Sequence, residues 1–150
     1  MKNEKYSTKA LPTLMEFEFI SSGPNGDITK VIQYTPTNIP NVYNLGFGDK
    51  NNNTGDISDS VISNNGDREK VLSTVAFTTL KFLNKYPNYS VLAVGLTLAR
   101  TRLYQIGIMK NLPEISIEIS ILGLHNDNWI PLKKGVNFDA FLASKKEIIH

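Results

Sequence analysis

Two of the three arginines in this 150-residue chain, Arg100 and Arg102, lie just beyond Gly95 and Thr97 in the run Gly95-Leu96-Thr97-Leu98-Ala99-Arg100-Thr101-Arg102-Leu103-Tyr104. The chemistry that pattern can do is anion binding. A short apolar strand, Val91-Leu92-Ala93-Val94, is broken by Gly95, and Thr97 is placed to cap a helix. The first N–H groups of a helix have no intrahelical partner and attract phosphate or carboxylate. The candidate ligand-binding residues are therefore Thr97, Arg100, Arg102 and Tyr104. Arg100 and Tyr104 share one helix flank, four residues apart. Arg102 lies about 200° around the helix from Arg100, so both reach one ligand only if the helix start is irregular. The competing reading is structural: Thr97 caps, and the arginines pair with nearby carboxylates or carbonyls.

Other chemistry has weaker support. The two histidines are His125, in an expected turn, and the terminal His150. Neither position holds an imidazole by packing and an orienting carboxylate, as a catalytic triad requires. With no cysteine there is no thiolate nucleophile, disulfide or thiolate metal site. Asp49-Lys50-Asn51-Asn52-Asn53-Thr54-Gly55 has oxygen ligands at alternate positions, but Thr54 and Ser60 stand where a calcium loop needs Gly and a bidentate Glu. Asp49, Asp56 and Asp59 reach one metal only if that loop folds back, and no metal site or cofactor is expected. Gly46-Phe47-Gly48-Asp49 lacks the Lys-Ser/Thr ending of a phosphate loop.

The elements that must position these residues follow from periodicity. A polar, ragged segment over 1–13 precedes two alternating strands, 14–20 and 28–34, joined as a hairpin through Gly23-Pro24-Asn25-Gly26. A third strand covers 42–47, a polar loop 49–56 and a fourth strand 57–62. Asp67 or Asn65 caps a long helix that stops before Pro87. On it Val71, Leu72, Val75, Ala76, Leu80 and Leu83 form an apolar stripe. Ala99, Leu103 and Ile106 give the second helix its apolar face, and Gly107 loosens or ends it. Residues 114–121 alternate without a fault and read as the clearest strand. Asn126-Asp127 turns the chain into Trp129-Ile130-Pro131-Leu132, an edge strand because proline cannot donate to a ladder. A short helix over 138–146 closes the chain. Leu72, Val75, Leu83 and Leu103 are expected in the core.

The result is one α+β domain over 1–150: a mainly antiparallel sheet, two principal helices packed on one of its faces, and a C-terminal β-hairpin plus short helix. An apolar content of 41% and a net charge of +2 are ordinary for a globular protein and do not argue for nucleic acid. The positive charge is concentrated in residues 67–112, which carry seven basic and two acidic groups. No apolar run approaches the roughly 20 residues that span a bilayer, and no secretory leader is recognisable, so a cytoplasmic protein is expected.

Three stretches, Asn44-Leu45-Gly46-Phe47-Gly48-Asp49, Ser63-Asn64-Asn65-Gly66-Asp67 and Ala99-Arg100-Thr101-Arg102-Leu103-Tyr104, resemble a family of small uncharacterised bacterial proteins of about this length. The resemblance covers roughly residues 14–145. It implies a stand-alone domain of unknown function and brings no activity, ligand or catalytic residue with it. The expectation is a non-enzymatic binding or interaction protein, with a protein partner or a second copy as its counterpart. The alternative is an enzyme or sensor holding a phosphorylated or nucleotide ligand at the Thr97–Arg100 helix start.

Overall fold

The computed structural model describes residues 3–51, 54, 57–58 and 65–146. Among these residues nine strands make one mixed sheet, β1 (Lys9–Ala10), β2 (Glu16–Gly23), β3 (Gly26–Pro36), β4 (Val42–Lys50), β5 (Ile57–Ser58), β6 (Ser90–Ala93), β7 (Ile119–His125), β8 (Asn128–Pro131) and β9 (Phe141–Lys145). Their order is β1-β2-β3-β4-β6-β9-β7-β8, with β5 paired to β4. Among the described residues only β4 and β6 pair in parallel; the other pairs are antiparallel. Helices α1 (Arg68–Lys85) and α2 (Leu98–Ile115) cover one face. The fold is α+β.

The β2–β3 hairpin pairs Phe17 with Ile32 and Phe19 with Lys30, and its Pro24-Asn25 turn precedes Gly26 at φ +84°. Phe17, Phe19, Ile32, Tyr34, Leu45 and Phe47 point at α1, which buries Val71, Leu72, Val75, Phe82 and Leu83 against them. Tyr34 stacks on Phe82 at 4.5 Å, and its hydroxyl bonds the hydroxyls of Thr78 and Thr79, each at 2.9 Å. Residues 3–8 lie along α1. The Tyr6 N–H donates to Thr74 at 2.9 Å, and Asn3 donates to buried Asn111 on α2 at 2.9 Å.

Several expectations change. Asp67 stands at the N-cap of α1 but makes no side-chain cap bond. Its carboxylate accepts instead from the Tyr6 hydroxyl and from Ser21 Oγ at 2.5 Å. Asn65 is buried beneath the β2–β3 turn, accepting from Asn25 N–H and donating to the carbonyl of Gly26, both at 2.8 Å. Gly107 does not end α2. The helix runs on through Pro113, and Gly107 lets it meet α1, since a Cβ there would stand 2.9 Å from Leu72 Cβ. The buried residues of α2 are Thr101, Tyr104, Gly107, Asn111 and Ile115, so the helix is rotated from the expected Ala99–Leu103–Ile106 face, with Ile106 42% exposed. Residues 114–118 end α2 and turn. Their alternation misleads because Ile115 and Ile119, four apart, both reach the core around a turn that leaves Ile117 exposed. β4 runs to Lys50, so Asp49 is a strand residue. Of the fourth strand, Ile57–Ser58 pair with β4, and 59–62 lie outside the described residues.

The largest change is at the C-terminal end. Instead of a helix over 138–146, Phe141–Lys145 form β9 and enter the gap between β6 and β7. β6 and β7, joined by α2, leave one strand position open between them, a split β-α-β arrangement. Filling it pairs backbone groups on both sides and buries Phe141 and Ala143. The long-range slot overrides a local pattern that also fits a helix. β7 and β8 form the expected hairpin, with Asn126 and Asp127 at φ +49° and +65°, the left-handed pair of a type I′ turn. β8 is the sheet edge.

Candidate functional site

β6 ends at Ala93, and four residues lead into α2. Thr97, extended at φ −129°, caps the helix: its Oγ1 accepts from Arg100 N–H at 3.2 Å. Thr101 seals the same turn. Its hydroxyl donates to the Thr97 carbonyl at 3.2 Å and accepts from Gly95 N–H at 3.1 Å. Gly95 is required here, because a Cβ would fall 2.6 Å from the Thr101 nitrogen. Leu96 and Leu98 on either side of Thr97 are 69% and 71% exposed.

The four candidate residues separate by role. Arg100 is half-buried at the first turn of α2 and makes no side-chain hydrogen bond or ion pair among the described residues. Arg102 points the other way. Its Nη1 donates to the Phe138 carbonyl at 2.6 Å and to Gln105 Oε1 at 2.9 Å. Gln105 completes the latch, donating to the Val136 carbonyl at 2.8 Å and accepting from Phe138 N–H at 3.2 Å. This holds the segment before β9 against α2. Tyr104 is buried among the core residues. Only Thr97 and Arg100 therefore stand together at the start of α2.

Polar clusters elsewhere are built into the fold. Lys30 and Asp49, opposite one another on β3 and β4, form a buried ion pair at 2.5 Å, with Lys30 Nζ 5.9 Å from the Phe47 ring centroid. Tyr6, Ser21, Asn65 and Asp67 knot the N-terminal segment, β2 and the start of α1. Burial, and then the bond to Asp67, raises the Tyr6 phenol above its ordinary value. Burial raises Tyr34 far more strongly. His125 ends β7 with its ring edge-on to Phe138. Among the described residues no group of three or more His, Asp or Glu is placed to hold a metal. Asp56 and Asp59 lie outside those residues. No described helix is long and apolar enough to cross a membrane.

The sheet face opposite the helices has two halves. Over β2, β3 and β4 it is mostly polar, with Glu16 bonded to Gln33 at 2.6 Å and Glu18 paired with Lys50 at 3.0 Å, and Ile20 as its exposed apolar side chain. Over β6, β9, β7 and β8 it is apolar. Leu92 stands opposite Leu142, Leu142 opposite Leu122, and Leu122 opposite Pro131. Beside this row lie Val94, Leu124 and Trp129, with Val94 42% and Trp129 40% exposed. The next row is Ser90, Ser144 and Ser120, the first two joined at 2.7 Å. The sequence carries this signal, since Val91-Leu92-Ala93-Val94 is apolar on both faces of its strand. Such a run reads equally as a strand covered on both sides.

The helix-covered face encloses an apolar cavity of about 60 Å³ between Leu72, Gly107, Tyr104, Ile115, Ile119 and Phe141. A cavity of this size, lined by apolar side chains, is within ordinary core packing.

A family model described as a family of unknown function (DUF6934) matches residues 2–146, and the chain belongs to that family. Neither the curated proteins nor the solved structures give a significant match.

Proposed function

We propose that this member of the family is a non-enzymatic, cytoplasmic interaction protein that uses the apolar half of its helix-free sheet face. The observation that carries this reading is the leucine row, Leu92–Leu142–Leu122, set side by side on three adjacent strands with Trp129 and Val94 at its border. A row across β6, β9, β7 and β8 spans about 15 Å, the scale of a small interface core. Contiguous apolar surface of this kind marks interaction sites more than isolated exposed side chains do. The reactive groups support the same reading: Lys30, Asp49, Asp67 and Arg102 are all committed to bonds that hold the fold.

Self-association is the form of this reading that needs no second protein to test. Sedimentation across micromolar concentrations should show association for the wild type and a monomer for Leu142→Arg, with unchanged circular dichroism. A wild-type monomer at every concentration would remove the second copy as the occupant.

A second reading places a phosphorylated or nucleotide ligand at Thr97 and Arg100, for an enzyme or a sensor. It is favoured by one observation, the Arg100 guanidinium left without a described partner at a helix start. Thermal shift at low salt with inorganic phosphate and nucleotides tests it. Stabilisation lost in Arg100→Lys and kept in Arg102→Lys supports the site; no shift removes it.

A further inference from the structure

We infer that the groove between the N-terminal segment and the open edge of β2 binds a small phosphorylated, hydroxyl-bearing compound, a site separate from both the leucine row and Thr97–Arg100. The groove has a volume of about 580 Å³, within the range of small-molecule sites. One wall is the segment from Lys5 to Lys9; the other is Ile20 and Ser22 of β2 with Thr29 of β3, and Lys70 of α1 also lines it.

It exists because the strand pairing stops early. β1 pairs with β2 only at Lys9–Glu18 and Ala10–Phe17. Beyond Lys9 the chain leaves the sheet, and Tyr6 rejoins it through its hydroxyl, which accepts from Ser22 N–H at 3.2 Å.

Charge sets the ligand class. Lys5, Lys9 and Lys70 all line the groove, and none of them makes an ion pair among the described residues, whereas Lys30, Lys50 and Lys110 do. Lys70 lies over the Tyr6 ring at 4.2 Å, and Lys5 over Phe77 at 4.8 Å. A ring face holds an ammonium in place without neutralising it. The single carboxylate in the lining, Glu18, is matched by Lys50 at 3.0 Å. The lining therefore carries three lysines against one carboxylate, which stands in register opposite Lys9, and phosphate oxygens are the acceptors that such an excess of positive charge suits.

The neutral lining adds the second half of the class. Ser7, Thr8 and Thr29 present hydroxyls that make no side-chain hydrogen bond among the described residues, and these suit the hydroxyls of a sugar or polyol. The same walls disfavour a nucleobase. Tyr6, the aromatic ring nearest the lysines, has Phe19 stacked on it at 5.3 Å and Lys70 over it. A base stacking on that ring, as in single-stranded nucleic acid recognition, would compete with these two contacts.

The test is an amide NMR titration of the full chain at low salt with fructose 1,6-bisphosphate, fructose, inorganic phosphate and adenosine monophosphate. The bisphosphate should shift the amides of Lys5–Lys9, Ile20, Ser22, Thr29 and Lys70 saturably, and free fructose should not. Lys9→Gln, which touches no ring, should weaken binding by about tenfold, the scale of one charge-assisted contact, without moving the urea midpoint. No saturable change at millimolar bisphosphate would overturn the site. So would shifts centred on Thr97–Arg100, or a Lys9→Gln variant that binds like the wild type. Equal responses to inorganic phosphate and bisphosphate, or tighter binding of adenosine monophosphate, would overturn the ligand class.

Discussion

Lys30 on β3 and Asp49 on β4 face each other in register, Nζ to Oδ1 at 2.5 Å, and the lysine is 1% exposed. Both stand on the helix-covered side of the sheet, the lysine between Phe19 on β2 and Asp49. A lysine is almost never this buried without a partner. Removing one member leaves the other charged in a low-dielectric setting, which costs about 3–5 kcal/mol, while replacing both with apolar residues is often close to neutral. Asp49→Asn should therefore lower the urea-derived stability by that amount, and Lys30→Met with Asp49→Leu should recover most of it. A single variant as stable as the wild type would show that the pair is not buried in solution.

That pair also marks where sequence reading stops. The strand containing Lys30 is legible from its alternation, as is the one containing Phe17 and Phe19, and α1 follows from its apolar stripe. The pairing of Lys30 with Asp49 depends on the register of β4 against β3, which the pattern within either strand does not carry. α2 shows the same limit. Its buried face contains Thr101 and Asn111, polar residues that bond carbonyls one turn back, Thr97 at 3.2 Å and Gly107 at 2.7 Å. Polar side chains satisfied in this way are tolerated in a core, so apolar spacing alone points to the wrong face. β9 is hidden because the slot it fills is created by β6, α2 and β7 together. At the candidate site the Thr97 cap is legible, and the Arg102 latch to Phe138 is not.

Gly107 tests the helix contact. Alanine is intrinsically better than glycine in a helix by about 1 kcal/mol. Here its Cβ would stand 2.9 Å from the Cβ of Leu72, and overpacking of that kind costs about 1–3 kcal/mol. Gly107→Ala should therefore destabilise the protein. In a double-mutant cycle, Leu72→Ala keeps the Leu72 Cβ but removes the Cδ2 and Cγ that would stand 3.3 and 3.4 Å from the new methyl, so it should relieve part of the strain and the pair should cost less than the two single changes added. Additive costs would mean that α1 and α2 do not touch there.

The two arginines of the candidate site should separate in stability measurements. Arg102 holds the Phe138 carbonyl through a charged hydrogen bond, a class worth about 1.5–3 kcal/mol. Arg102→Ala should cost about that much and increase hydrogen exchange around Val136–Phe138. Arg100→Ala should stay within about 0.5 kcal/mol of the wild type, as surface changes usually do. Thr97→Ala removes a helix cap, at about 1 kcal/mol. Equal losses for the two arginines would contradict the latch.

Alkaline pH tests the buried phenols. In the folded chain Tyr34 is raised well above its ordinary 10.0 by burial, and Tyr6 is raised by burial and by its bond to Asp67. A raised phenol favours the protonated state in the fold. Its contribution is fully present below the unfolded pKa and is lost as pH climbs through the folded one. Stability should thus be flat in this respect up to about pH 9 and fall above pH 10. Each phenol that ionises only on unfolding adds about 1.4 kcal/mol per pH unit to the slope. Tyr34→Phe cannot ionise, so it should start less stable at neutral pH, having lost its bonds to Thr78 and Thr79, yet decline less steeply. The loss at neutral pH should be modest, because each threonine hydroxyl lies 3.0 Å from the Val75 carbonyl and can donate to it once the phenol is gone. Urea midpoints of the two proteins from pH 8 to 11 check this. Parallel declines would show that Tyr34 titrates in the folded protein as it does in the unfolded chain, which its place beneath α1 forbids.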